Sequence, residues 1–166
     1  MRKQPEARWH AGKGCNANER SLLMDSFIEN VEEVVLAVDD QEGAVALFEE
    51  LFGLEFNDSW TVPADNMSVR CAHIGGTMFH IVSSLSEDAV IAKFIRERGE
   101  GLHHIAFRVR DMEEAVTRLR DKGVRLVPQE PVSLGPDGPS YIFVHPRSVH
   151  GVLIELIWHG KGGGGA

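Results

Sequence analysis

Val31-Glu-Glu-Val-Val-Leu-Ala-Val38 and Leu102-His-His-Ile-Ala-Phe-Arg-Val109 decide how this chain folds. Both stretches are short, apolar and rich in β-branched or aromatic residues, the pattern of a strand. Each is followed by an aspartate placed to cap a helix, Asp40 and Asp111. Helical spacing comes next, through Ala44, Val45, Leu47, Phe48 and Leu51 in the first copy and Ala115, Val116 and Leu119 in the second. The helices expected over 41–51 and 112–122 stop at Gly53 and Gly123, where a positive φ suits the residue after a helix. A short strand is expected after each glycine, Leu54-Glu-Phe56 and Val124-Arg-Leu126. The ends of the halves also match: Gly76-Thr-Met-Phe-His-Ile-Val82 aligns with Gly151-Val-Leu-Ile-Glu-Leu-Ile157. The turns before these last strands fall near 74–76 and 145–147.

Each half therefore reads as one strand, one helix and about three strands, and the βαβββ unit occurs twice. A single unit leaves one sheet face bare. Two units related by a pseudo-two-fold axis cover it by cupping a mixed sheet around a central site, an α+β fold. Module 1 is expected over about 27–84 and module 2 over about 101–159, one domain spanning 26–159. A linker over about 85–100 carries a helix at 88–98 whose apolar side is Val90, Ile91, Phe94 and Ile95. Residues 1–25 are polar and aperiodic and read as a disordered extension. The Gly-rich residues 160–166 read as a flexible tail.

The composition narrows the function. The 166 residues carry a formal charge of −8, although the first twenty are basic. An acidic body repels nucleic-acid phosphates, so no nucleic-acid partner is expected. No apolar run reaches the ~20 residues of a membrane span, and the N-terminus lacks the apolar core of a signal peptide. Cys15 and Cys71 are isolated and imply no disulfide framework. A cytoplasmic protein acting on a small molecule is the expectation.

The repeat also identifies symmetry mates. Glu33 in the first strand of module 1 corresponds to His104, and His80 in its last strand corresponds to Glu155. Two imidazoles and two carboxylates thus sit in otherwise apolar strands, which is costly unless they are paired or hold a metal. Such a set suits Zn, Co, Ni, Mn or Fe dications. Each position has a blander reading. Glu32 and Glu33 are neighbours, so strand alternation sends one of them to solvent. His103 and His104 likewise place one imidazole on each face. His80 could be a satisfied core histidine.

Ile91-Ala-Lys-Phe-Ile95, Gly99-Glu-Gly-Leu-His-His-Ile-Ala-Phe107, Lys122-Gly-Val-Arg-Leu126, Phe143-Val-His-Pro146 and Gly151-Val-Leu-Ile-Glu-Leu156 resemble the methylmalonyl-CoA epimerase family of the vicinal-oxygen-chelate (glyoxalase-fold) superfamily. The resemblance is strong over 88–157 and weaker over 27–82. It implies metal ligands at His104 and Glu155. The family's first-module histidine ligand falls on Glu33 and its Gln or Glu ligand on His80, so His and Glu have exchanged strands while the set stays the same. The implied reaction removes a proton α to a thioester and returns it on the other face. Glu155 and, by pseudo-symmetry, Glu33 are the implied acid/base groups. Residues 67–74 offer no carboxylate, and Asp58 and Asp65 are weaker candidates, expected in loops. The resemblance also implies an acyl-CoA substrate and a homodimer. Nine of the seventeen Lys/Arg residues fall in 93–125, where some could meet CoA phosphates or merely solvate helix faces. Competing readings are a lactoylglutathione lyase-like isomerase, a non-catalytic binding protein and, less favoured, a dioxygenase holding iron through His80, His104 and Glu155.

Overall fold

The structure is a computed structural model describing residues 26–135 and 138–160. The expected extension at 1–25, and all of the 160–166 tail beyond Gly160, lie outside the described residues. Module 1 comprises β1 (Ile28–Ala37), α1 (Gln41–Phe52), β2 (Asp58–Val62), a 3-10 turn (Pro63–Asp65), β3 (Met67–Ile74) and β4 (Thr77–Ser84). The linker helix is α2 (Val90–Arg98). Module 2 comprises β5 (Gly101–Val109), α3 (Met112–Asp121), β6 (Leu126–Ser133), β7 (Ser140–Val144), a second 3-10 turn (Pro146–Ser148) and β8 (Leu153–Trp158).

The repeated punctuation works as expected. The Asp40 and Asp111 carboxylates accept hydrogen bonds from Gly43 N and Glu114 N at 3.0 and 2.9 Å, which satisfies amide groups the first helical turn leaves open. Gly53 and Gly123 follow the helices at φ 64° and 71°. The small strands differ from expectation. Leu54-Glu-Phe56 forms no strand, because Leu54 and Phe56 pack beneath α1 with Val45 and Phe48. The strand begins at Asp58 instead, and β6 begins only at Leu126.

All eight strands form one mixed sheet in the order β2-β3-β4-β1-β5-β8-β7-β6. The modules meet where β1 pairs antiparallel with β5, and within each module the first and last strands run parallel. Helix α1 packs on module 1 around Val45 and Ile81, and α3 packs on module 2 around Ala115, Val116 and Ile142. Helix α2 packs through Ile91 on Val35, Val69 and Val82.

Of three register shifts along the β1–β5 seam, two are matching bulges. Val31 and Glu33 face consecutive residues Phe107 and Ala106, so Glu32 is an extra residue. Val35 and Leu36 face His104 and Leu102, so His103 is the extra residue on the other strand. Glu32 and His103 are mates in the repeat. Each bulge breaks the two-residue alternation, which corrects two expectations. Glu32 does not face solvent: it is 3% exposed, and Arg108 grips it through Nε and Nη2 at 3.0 and 3.2 Å while His159 Nε2 lies 2.6 Å from Oε1. His103 does not occupy the opposite face from His104, for their Nδ1 atoms are 2.7 Å apart.

Glu32 thus ties β1 to β5 and to the chain after β8. Truncation by Glu32→Ala is expected to cost about 2 kcal/mol in urea denaturation. Breaking a fully buried pair costs ~3–5 kcal/mol, and the 30% exposed Arg108 side chain recovers part of that by turning to water. An unchanged midpoint would mean the pair contributes nothing.

Candidate metal centre

Register places the four expected residues on neighbouring strands. Glu33 of β1 is opposite Ala106, which pairs with Glu155 of β8. His80 of β4 pairs with Val35, which is opposite His104 of β5. Ligand atoms of Glu33, His104 and Glu155 all lie within 4.8 Å of one another. His104 Nε2 is 3.0 Å from Glu155 Oε2, and His80 Nδ1 is 3.5 Å from Glu33 Oε2. Adjacent ligands of an octahedral ion are about 3 Å apart when each bond is ~2.1 Å. Three residues therefore converge closely, and His80 stands beside Glu33 at their edge.

The surroundings hold these groups in place. Phe143 of β7 meets the His104 ring edge-on at 5.9 Å between centroids, and Trp60 of β2 does the same to His80 at 5.2 Å. His103 packs on Phe94 of α2 and meets His104 edge-to-face with the two Nδ1 atoms in contact, while His104 Nε2 faces Glu155. A partner on one ring nitrogen orients the other toward a metal.

The electrostatics suit a cation. Burial, then the charges of Glu155 and Glu32, raise Glu33 to about 8. Burial, then Glu32 and Asp65, raise Glu155 to about 7. Burial lowers His104 to about 4 and, with help from His104 and His73, lowers His80 to about 4. His103 falls to about 4 by burial, then by His104 and Arg98. Between about pH 4 and 7 Glu155 keeps its proton while His104 has lost its own, and their contact is then a hydrogen bond from a carboxylic acid rather than an ion pair. His80 Nε2 is buried with no hydrogen-bond partner among the described residues. Crowded carboxyls facing neutral imidazoles are a donor set whose charge a dication would balance, so the residues fit one.

A pH dependence follows. Raised carboxylate pKa values stabilise the protonated native state below about 4.5, and that stability is lost as pH climbs through 7 and 8. The lowered histidines work the other way, but only between about 4 and 6.5. Above pH 6.5 the carboxylates decide, so metal-free protein should melt at progressively lower temperature up to pH 8.5. Dication binding at pH 6.5 should release nearly one proton per carboxylate, and almost none at pH 9. Calorimetry in buffers of different ionisation enthalpy measures this, and pH-independent proton release would contradict it.

The other expectations divide. Asp65 sits in the 3-10 turn, and its charge adds to the upward shifts of Glu155 and Tyr141. Asp58 is not in a loop; it starts β2 and bonds His73. Of the basic cluster, Arg108 and Arg120 are held by Glu32 and Glu130, and Arg118 pairs with Glu114. Glu32 and His103 escaped the sequence reading. The signal for them was the polar doublet recurring at equivalent positions, Glu32-Glu33 and His103-His104.

This duplicated module, with carboxylates and imidazoles meeting at its seam, matches a known class. The profile of the Glyoxalase/Bleomycin resistance protein/Dioxygenase superfamily matches residues 32–143, and the chain belongs to that superfamily. Its relatives there include methylmalonyl-CoA epimerases. The mitochondrial methylmalonyl-CoA epimerase of Homo sapiens is 32% identical over 127 residues, 76% of this chain and 72% of the relative. The ethylmalonyl-CoA/methylmalonyl-CoA epimerase of Cereibacter sphaeroides is 29% identical over 131 residues, 78% of this chain and 98% of the relative. Among solved structures, Streptomyces coelicolor methylmalonyl-CoA epimerase (a variant in complex with 2-nitronate-propionyl-CoA) superposes with TM-score 0.71 at 27% identity, covering 81% of this chain and 96% of its own. Among the described residues, no helix is long and apolar enough to cross a membrane.

Proposed function

We propose that the protein is a metal-dependent epimerase of an acyl-CoA thioester, with Glu33, His80, His104 and Glu155 holding the dication. The observation that carries this reading is the convergence of Glu33, His104 and Glu155 within 4.8 Å on one sheet face. The epimerase relatives support the reaction class. A bound dication would supply Lewis-acid stabilisation of the charge that develops as the α-proton leaves. Glu155 takes that proton as a carboxylate within the converging group, 3.0 Å from His104 Nε2. Return from the other face falls to Glu33, its neighbour across Ala106. Trp60 and Phe143 place aromatic rings edge-on against His80 and His104 beside the reacting carbon.

Deuterium wash-in tests the reading. Dication-loaded protein in D₂O should exchange the α-hydrogen of methylmalonyl-CoA, and chelation should stop the exchange. Metal-loaded protein that leaves this hydrogen untouched would reject the epimerase and turn attention to the lactoylglutathione lyase-like or non-catalytic readings.

A further inference from the structure

We propose that Asp58, Cys71 and His73 form a second divalent-metal site, of the zinc class, on the same sheet face as the first. Asp58 at the start of β2 pairs directly with Cys71 of β3, and His73 lies two residues further along the same strand, hence on the same face. His73 Nε2 is 3.1 Å from Asp58 Oδ2 and 4.0 Å from Cys71 Sγ, and the three donor atoms all lie within 4.8 Å of one another. Around a tetrahedral ion with bonds of ~2.0–2.3 Å, ligand atoms sit about 3.3–3.6 Å apart. Small torsions of the exposed Asp58 and His73 side chains bridge that difference.

The donor set is chemically distinct from the first centre. Thiolate, imidazole and carboxylate favour zinc, cadmium or cobalt over magnesium, calcium or manganese. Three protein ligands leave a fourth position, and the half-open His73–Asp58 side admits water to it. Cys71 itself is buried and in register with His80, so the second ion would lie one strand outward from the first centre. It would also clip β2, an edge strand with β3 as its neighbour, to the body of the sheet.

Cobalt(II) titration of the full chain carrying Cys15→Ser, which removes the other cysteine, reads this site alone. A near-ultraviolet thiolate-to-cobalt charge-transfer band should grow to saturation, and zinc should displace it. Cys71→Ser should abolish the band. Asp58→Asn and His73→Gln, at exposed positions that leave the core intact, should each weaken cobalt binding at least tenfold. Glu155→Gln should leave the band unchanged. The proposal is overturned if no band forms, if the band ignores the Asp58 and His73 substitutions, or if it vanishes with Glu155→Gln. The last result would place Cys71 in the first centre. None of these outcomes depends on the protein being an epimerase.

Discussion

Glu155→Gln should lower α-hydrogen exchange in methylmalonyl-CoA by about 10²–10⁴-fold, the range expected for loss of a general acid/base. The substitution keeps the shape of the side chain but removes both its ability to take a proton and its charge. Glu155 packs in β8 beside Phe143 and faces His104 Nε2, so the amide retains a hydrogen bond and the strand has no reason to move. Because Glu155 is also a proposed ligand, the metal must be followed separately. Exchange should stay low when dication is raised until the variant is saturated. Full recovery at saturation would make Glu155 a ligand only and transfer the role of base to another group. Glu155→Asp, which keeps the base but withdraws it by one methylene, should fall between the two.

The second large effect concerns the exchange of His and Glu between strands. Two neutral imidazoles and two carboxylates carry a charge of −2, which balances a dication whichever strand supplies each group. Glu33→His and His80→Glu should each shift that balance by one unit and weaken dication binding at least about tenfold, or ~1.4 kcal/mol. The double change restores the balance and should bind within a few-fold of the unaltered protein. The contact between His80 Nδ1 and Glu33 Oε2, 3.5 Å, makes the two positions near enough to couple. Read as a double-mutant cycle, additive losses would show that no ion joins them, and His80 would then be a core histidine beside Glu33.

The repeat made the architecture legible. Asp40 and Asp111, Gly53 and Gly123, and the paired apolar stretches each report a local backbone need that side-chain type reveals directly. The symmetry that located Glu33, His80, His104 and Glu155 was legible for the same reason, although His80 stands off from the closest trio. The bulges were not legible. Strand alternation is the only rule a single strand's sequence offers, and an extra residue is a property of the pair. Alternation therefore sends one of Glu32 and Glu33 to solvent, yet Arg108 and His159 bury Glu32 as well. Leu54 and Phe56 alternate like a strand, yet their side chains are used to seat a helix.

The strand order has one more consequence. The open edges of the sheet are β2 and β6, one from each module. An open edge is a template on which another chain can grow, the first step toward a fibril. β6 carries Pro128 and Pro131, which remove two of the amide donors such growth requires. β2 is only five residues long. Both rims are thus poor nuclei for cross-β addition, and among the described residues the sheet is protected from aggregation at the two places where it ends.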